Sequence, residues 1–239
     1  MQQQPFTFRK VDPRDLELMT DIFRLRFEVY GEECGFIRKE DYPNGLESDE
    51  YDTQAIHFAA LNNFGEVVGT LRLILPGQRV LPIEKYCPSI RVDNKFLPQL
   101  SFAEISRLVI SKRIRRRKGD DLFYAPQIED ERVANSAGEV FLRRSKPMAF
   151  GLYRELYRES KRIGVTHWYS LMEKSLWLLL RIHGFTFECV GDEVDVFGPV
   201  KPYLGKVSVI EQEVAKKFPK FFEYFTEEEK AGHLNKFEL

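Results

Sequence analysis

The chain has 239 residues, enough for one large domain, and 43% hydrophobic against 31% charged residues is a soluble globular composition able to bury a sizeable core. With 36 basic and 37 acidic side chains the net charge is −1, which excludes a protein that collects polyanions through a global positive field. Three cysteines without CxxC spacing argue against a disulfide framework and a zinc site, and no apolar run approaches the roughly 18 residues of a membrane span.

The N-terminal stretch MQQQPFTFRK has no apolar signal-peptide core, so the expected compartment is the cytoplasm. Phe6-Thr7-Phe8 alternates and predicts a first strand. Asp12-Pro13 reads as the N-cap and first position of a helix. Its apolar face (Leu16, Met19, Ile22, Phe23, Phe27, Tyr30) recurs every three or four residues to about Gly31. Polar residues 38–54, broken by Pro43-Asn44-Gly45, predict a loop. Ile56–Leu61 and Val67–Leu75 predict two strands joined by a turn ending at Gly65. Four prolines between 76 and 99 predict irregular chain with at most a brief helix. Phe102–Ile110 predicts a further strand, and Lys112–Lys118 behind it is basic at six of seven positions. Residues 119–145 show no periodicity and predict a mobile excursion.

A helix from Pro147 to Gly164, a strand over Val165–Met172, a helix over Glu173–His183 and a strand over Phe185–Val190 complete the pattern. A last helix is predicted over Val207–Tyr224. This is one α/β domain over 1–206, with an insertion at 119–146, and a C-terminal helical extension over 207–239 packed on it.

Charged clusters interrupt these apolar elements. Arg26 sits near the end of the first helix, Glu47-Ser48-Asp49-Glu50-Tyr51-Asp52 forms a carboxylate-dense loop, and Arg72 and Glu104-Ile105-Ser106-Arg107 lie inside strands. Strict alternation would point Glu104 and Ser106 one way and Arg107 the other. Charges on both faces of a central strand are costly unless each finds a partner, so structural ion pairing competes with a substrate role at every one of them. His57, His167 and His183 follow no metal spacing, and Met148, Met172, Tyr153, Tyr157, Trp168 and Trp177 fit core packing. Trp168, Ser170 and Met172 share one strand face and would also border a tunnel.

The ordered set Arg26-x-x-Val29-Tyr30, Glu47-x-Asp49-x-Tyr51-Asp52, Gly69-x-x-Arg72 and Glu104-x-Ser106-Arg107 resembles the acyl-homoserine-lactone (autoinducer) synthases, the N-acyl amino acid synthases and the exosortase-associated (PEP-CTERM) acyltransferases. The wording around Phe23–Tyr30, His57, Gly69–Ile74 and Leu81-Pro82 looks closest to the exosortase-associated kind. The resemblance implies a GNAT-like acyltransferase fold, a central mixed, mostly antiparallel sheet flanked by helices. It implies transfer of a long-chain acyl group from an acyl carrier protein or CoA thioester to the amine of an amino acid or similar small acceptor. The alternatives are lactone synthesis from S-adenosylmethionine, against which stands Phe36 where those synthases tend to carry Trp, and a GNAT-shaped binding module without catalysis.

Acyl transfer to an amine needs a base, a polarised carbonyl, a held pantetheine arm and a leaving thiol. Glu104 is the expected base. Backbone N–H groups from Leu108 to Ile110 are the expected oxyanion donors. Arg107 and Arg72 would order the loop holding Asp49 and Asp52 or grip an acceptor carboxylate, and those aspartates would alternatively bind its ammonium. Arg26 is either a loop-holding cation or a substrate contact. Ser170 loosely matches a hydroxyl position that influences chain preference in the lactone synthases. The basic run Arg113, Arg115, Arg116 and Arg117, ending at Gly119, occupies the family's phosphate-binding place, but Asp120-Asp121 replaces the usual glycine-rich ending. That composition suits the acidic surface of an acyl carrier protein, with no nucleic acid, metal or covalently bound cofactor expected and an acylated product able to associate with membranes.

Overall fold

The computed structural model describes residues 6–90, 101–112, 146–196 and 198–226. The elements in chain order are β1 (Thr7–Lys10), α1 (Leu16–Phe27), β2 (Ala55–Leu61), β3 (Val67–Ile74), α2 (Pro82–Tyr86), β4 (Phe102–Ile110), α3 (Lys146–Ile163), β5 (His167–Met172), α4 (Lys174–Ile182), β6 (Glu188–Cys189), β7 (Val194–Asp195), β8 (Pro199–Lys206), α5 (Val207–Lys217) and α6 (Pro219–Thr226). The strands form one mixed sheet in the order β1-β2-β3-β4-β5-β8-β6, with β7 on β8. Every pairing is antiparallel except β4 with β5. The basic run from Arg113 to Gly119 and the excursion behind it lie outside the described residues.

Several local expectations change for identifiable reasons. The first helix is capped by Asp15, whose Oδ1 accepts the Leu18 N–H at 3.1 Å. Asp12 instead accepts the Arg14 backbone N–H and side chain in the turn before it. Past Phe27 the helix widens into a π-helical turn over Glu28–Glu33, where Cys34 N–H bonds to Val29 C=O, five residues back. The predicted strand over Phe185–Val190 shrinks to two residues, and the long strand β8 arises where Pro199, Pro202 and Gly205 spoil the usual strand signature. The single tail helix is two helices, because Phe218 precedes Pro219 and leaves the helical region (φ −140°, ψ 65°).

The sheet has two differently covered faces. Ala103 and Ile105 of β4, with Trp168 and Met172 of β5, meet the apolar face of α3 in the main core, to which α5 and α6 add Val207, Ile210, Val214 and Phe225. Phe102 and Tyr169 face the other way, toward α2 and Tyr51. Among the described residues no helix is long and apolar enough to cross a membrane.

The end of α4 locks the second half of the sheet to the C-terminal helices. Gly184 N–H bonds to Arg181 C=O and Phe185 N–H to Leu180 C=O, which requires the left-handed φ of +84° at Gly184. A Cβ there would also lie 3.1 Å from the Val214 backbone. Gly184→Ala is therefore expected to lower unfolding free energy by about 1–3 kcal/mol, read from urea denaturation. An unchanged midpoint would remove this account of the turn.

Candidate active site

Four separate elements deliver six charged side chains to one place. Arg26 comes from the last turn of α1, Glu47, Asp49 and Asp52 from the loop before β2, Arg72 from β3 and Arg107 from β4. Arg26 Nε bonds to Glu47 Oε2 and its Nη1 to Asp52 Oδ1 at 2.8 Å. Arg107 Nη2 bonds to Glu47 Oε1 and Asp49 Oδ2, both at 2.9 Å. Arg72 Nη1 bonds to Asp49 Oδ1 and Asp52 Oδ1, both at 2.6 Å. Each cation thus touches two carboxylates and each carboxylate two cations. The six close into a ring of alternating charge with formal sum zero. Arg26 and Glu47 are 0% exposed, whereas Asp49 is 22% and Arg107 17% exposed in their side chains, so one edge of the ring faces outward.

The position of Arg107 departs from strand alternation. Its φ is +54°, and the β3–β4 register gains one residue between Thr70↔Val109 and Arg72↔Ser106. This is a β-bulge. It turns Arg107 to the same face as Glu104 and Ser106, while Leu108 packs toward the α3 side. Holding a non-glycine residue there costs on the order of 1–3 kcal/mol, offset by the two carboxylates Arg107 engages. Four of the five N–H groups of Arg72 are likewise engaged, with Ser106 Oγ, Asp49 (twice) and Asp52.

Burial pushes the ring carboxylates toward the neutral form, and the guanidiniums more than reverse it. Glu47 is held below its ordinary pKa by Arg107 and Arg26, Asp52 by Arg26 and Arg72, and Asp49 by Arg72. His57 lies behind the ring with Nε2 3.4 Å from Asp52 C=O, and burial lowers it to about 4, so it is neutral at physiological pH.

Glu104 is the exception. It is 1% exposed, accepts Ile83 N–H at 2.8 Å on Oε2, and makes no ion pair among the described residues. Burial raises its pKa to about 8, and the Ile83 N–H and Arg72 only partly oppose that. It lines a cavity of about 340 Å³. The cavity exists because β4 and β5 pair only from Phe102↔His167 to Ile105↔Ser170, and no further pairing of the two follows among the described residues. Glu104, Tyr51 and Pro82 line it on one face of the sheet and Leu108, Leu176 and Tyr153 on the other, so it passes through the gap. Tyr30 and Phe36, 6.2 Å apart between ring centroids, form part of its aromatic wall.

Of the expected residues, Glu104, Arg107, Asp49, Arg72, Leu108 and Ser170 line this cavity. Ser170 donates to Ile105 C=O at 3.1 Å at the point where the strands part. Arg26 and Asp52 do not line it, and the fully enclosed Arg26 side chain pairs with Glu47 and Asp52 of the loop. Ile110 is 6% exposed, pairs with Gly69 beyond the bulge and is not in the cavity wall. Arg113, Arg115, Arg116, Arg117 and Gly119 lie outside the described residues. Glu47 belongs to the ring and was absent from the expected set, although it opens the same carboxylate cluster.

Comparison with known proteins agrees with this architecture. Residues 25–125 match the family model described as an acetyltransferase (GNAT) domain. The structure resembles TofI, determined in a ternary complex with an inhibitor and MTA (TM-score 0.59, 15% identity, 88% of this chain and 98% of that one). It also resembles the CoA-dependent acyl-homoserine lactone synthase BjaI with SAM and isopentyl-CoA (TM-score 0.57, 17% identity, 89% and 90%). This chain has the GNAT fold. FeeM, an N-acyl amino acid synthase from uncultured soil microbes, shares it at TM-score 0.51 and 13% identity over 90% and 98% of the two chains. No curated protein sequence matches the chain.

Two outcomes follow from the charges carried on this fold. Arg26→Met leaves Glu47 and Asp52 short of a buried cation and is expected to cost about 3–5 kcal/mol of stability in denaturant unfolding. A loss under 1 kcal/mol would show that the ring is not a unit. Glu104 contributes with the opposite pH sign to the ring. Its folded pKa is raised from 4.5 to about 8, so the folded state holds a proton that the unfolded state has lost. Stability from this group is fully present below pH 4.5 and declines until pH 8. Glu104→Gln should therefore gain in thermal midpoint relative to the parent chain between pH 5 and pH 9. A constant difference across that range would contradict the raised pKa.

Proposed function

We propose that the chain is an N-acyltransferase that moves an acyl group from a pantetheine thioester, carried by acyl carrier protein or CoA, to the amine of a small acceptor. The observation that carries the reading is Glu104, a desolvated carboxylate without a cation, lining a cavity that runs through the gap between β4 and β5. A base with a pKa near neutrality suits removal of a proton from an attacking amine. The bound ammonium first gives up one proton to solvent. The free amine nitrogen then attacks the thioester carbon, the carbonyl π pair moves to oxygen, and Glu104 takes the second N–H proton. The intermediate then re-forms C=O, the C–S bond breaks, and Glu104 returns the proton to the departing thiolate.

Acceptor recognition falls to the outward edge of the ring. Arg72 already serves Asp49, Asp52 and Ser106, so the acceptor ammonium seeks Asp49 and Glu104 in preference to its carboxylate seeking Arg72. Arg107 and Arg72 are read as positioning residues and Leu108 as a backbone oxyanion donor from the open half of β4. The sequence around Arg26 and Gly69–Arg72 favours an exosortase-associated, carrier-protein-dependent enzyme in the cytoplasm, with Arg113–Gly119 as its carrier-docking segment. Lactone synthesis from S-adenosylmethionine is the second reading, favoured by the likeness to BjaI.

Mass spectrometry of lipids from cells overproducing the chain decides between these. A new mass equal to a fatty acyl chain plus an amino acid or amine, lost with Glu104→Gln, is the expected result. An acyl-homoserine lactone with methylthioadenosine would select the second reading. In vitro, Glu104→Gln should lower kcat about 100-fold, and the parent rate should rise with pH through an apparent pKa near 8. Unaltered turnover in the variant would remove Glu104 from the chemistry.

A further inference from the structure

Tyr153 reads in the sequence as a core aromatic of α3, and its ring does pack edge-on to Phe185 with centroids 5.5 Å apart. Its hydroxyl does not fit that role. The residue is only 1% exposed, and the hydroxyl makes no hydrogen bond to any described residue. A buried tyrosine O–H without a partner forfeits a hydrogen bond it could make to water, at a cost comparable to other unsatisfied polar groups. Tyr153 lines the same cavity as Glu104, whereas His57, whose Nδ1 is buried and unpartnered, does not.

The two groups stand on opposite faces of the sheet. Glu104 projects with Ser106 and Arg107 toward α2 and the ring, and Tyr153 reaches the gap from α3, among Ile105, Leu108 and Met172. A planar thioester held in the gap therefore has a carboxylate on one side and a lone O–H donor on the other. Resting on the acyl-transfer reading above, we propose that Tyr153 donates a hydrogen bond to the thioester carbonyl oxygen of the acyl donor, strengthening as that oxygen gains charge during amine attack. Among the atoms of a thioester, the oxygen is the one this donor suits. It gains negative charge and gives it back without needing a proton, whereas the sulfur leaves as thiolate and requires one, which Glu104 holds. Burial raises the Tyr153 pKa, so the phenol keeps its proton and acts as a hydrogen-bond donor throughout. The bond sequence of the transfer is unaltered: C–N forms, C–S breaks, and the phenol O–H bond stays intact.

The test uses the full chain, acyl-pantetheine thioesters as donors, and Tyr153→Phe, which keeps the ring and deletes one oxygen. Two inert donors separate the atoms: a ketone with CH2 in place of the thioester sulfur, and a thioether with CH2 in place of the carbonyl. The expected result is kcat lowered about 100-fold with the thermal midpoint at or above the parent's and acceptor KM unchanged. The ketone should bind the variant about 5-fold more weakly and the thioether equally to both proteins. Unchanged turnover, or equal losses for ketone and thioether, would overturn the assignment. If the parent chain acylates no amine while the ketone still loses affinity in Tyr153→Phe, the carbonyl contact stands and the catalytic reading fails.

Discussion

The charge ring of Arg26, Glu47, Arg107, Asp49, Arg72 and Asp52 is the constraint on which the rest of the site depends. Burying any one of these ions alone would cost several kcal/mol, so they are tolerable only as a closed set. Closure demands that the end of α1, a loop with little regular structure, and two neighbouring strands hold fixed relative positions. It also explains why a strand as apolar as β4 accepts a left-handed arginine. Without the bulge, Arg107 would point into the α3-side core with no carboxylate in reach, and the order-of-magnitude cost of an unpaired buried cation exceeds that of the backbone strain.

A neutral ring has a second consequence, for Glu104. An isolated arginine beside a buried carboxylate would hold it ionised and below its ordinary pKa, as the ring members show for one another. Arg72 and Arg107 do lie near enough to lower Glu104, yet desolvation prevails and the group rises to about 8. Their positive charge is largely answered by Asp49, Asp52 and Glu47. The same residues that stabilise the loop thus leave the carboxylate beside them available to exchange a proton near neutral pH. The parting of β4 from β5 after Ile105 and Ser170 completes the arrangement by opening the sheet beside that carboxylate.

Much of this was legible from residue types, for a physical reason: charges inside apolar strands are conspicuous because they are costly. Arg72, Glu104 and Arg107 stand out on that ground, Arg26, Asp49 and Asp52 through the ordered motifs they belong to. The alternation of strands and helices follows from the spacing of apolar runs, and the mixed sheet was implied by the family resemblance. What stayed hidden depends on geometry that spacing does not encode. Period-two alternation placed Arg107 on the wrong face because one inserted residue resets every side chain after it. Strand β8 was invisible because its prolines and glycine are strand-averse, while its partners β5, β6 and β7 hold it in the sheet. Glu47 opened the carboxylate-dense motif without being singled out as a site residue, and the ring shows it fully buried between Arg26 and Arg107. Tyr153 satisfied helical periodicity, and only the cavity distinguishes its hydroxyl from a core one.

The division between ring and cavity wall also bears on where acceptor specificity would reside under the proposed acyl transfer. A ring whose six members are mutually engaged cannot be retuned by single substitutions, because removing one charge strands two partners in a buried setting. Variation compatible with folding must therefore fall on the wall: Tyr30 in the π-helical turn and Phe36 just beyond it, Tyr42 in the loop that follows, and Tyr86 at the end of α2. These are aromatic side chains on short or irregular segments; of the four, Tyr30 lies under a ring cation, with the Arg107 guanidinium 5.6 Å from its ring centroid. On the proposed acyl-transfer reading, a rigid electrostatic frame with a replaceable aromatic rim would let one base serve amines of different shape, with acceptor preference tracking the rim while dependence on Glu104 stays constant.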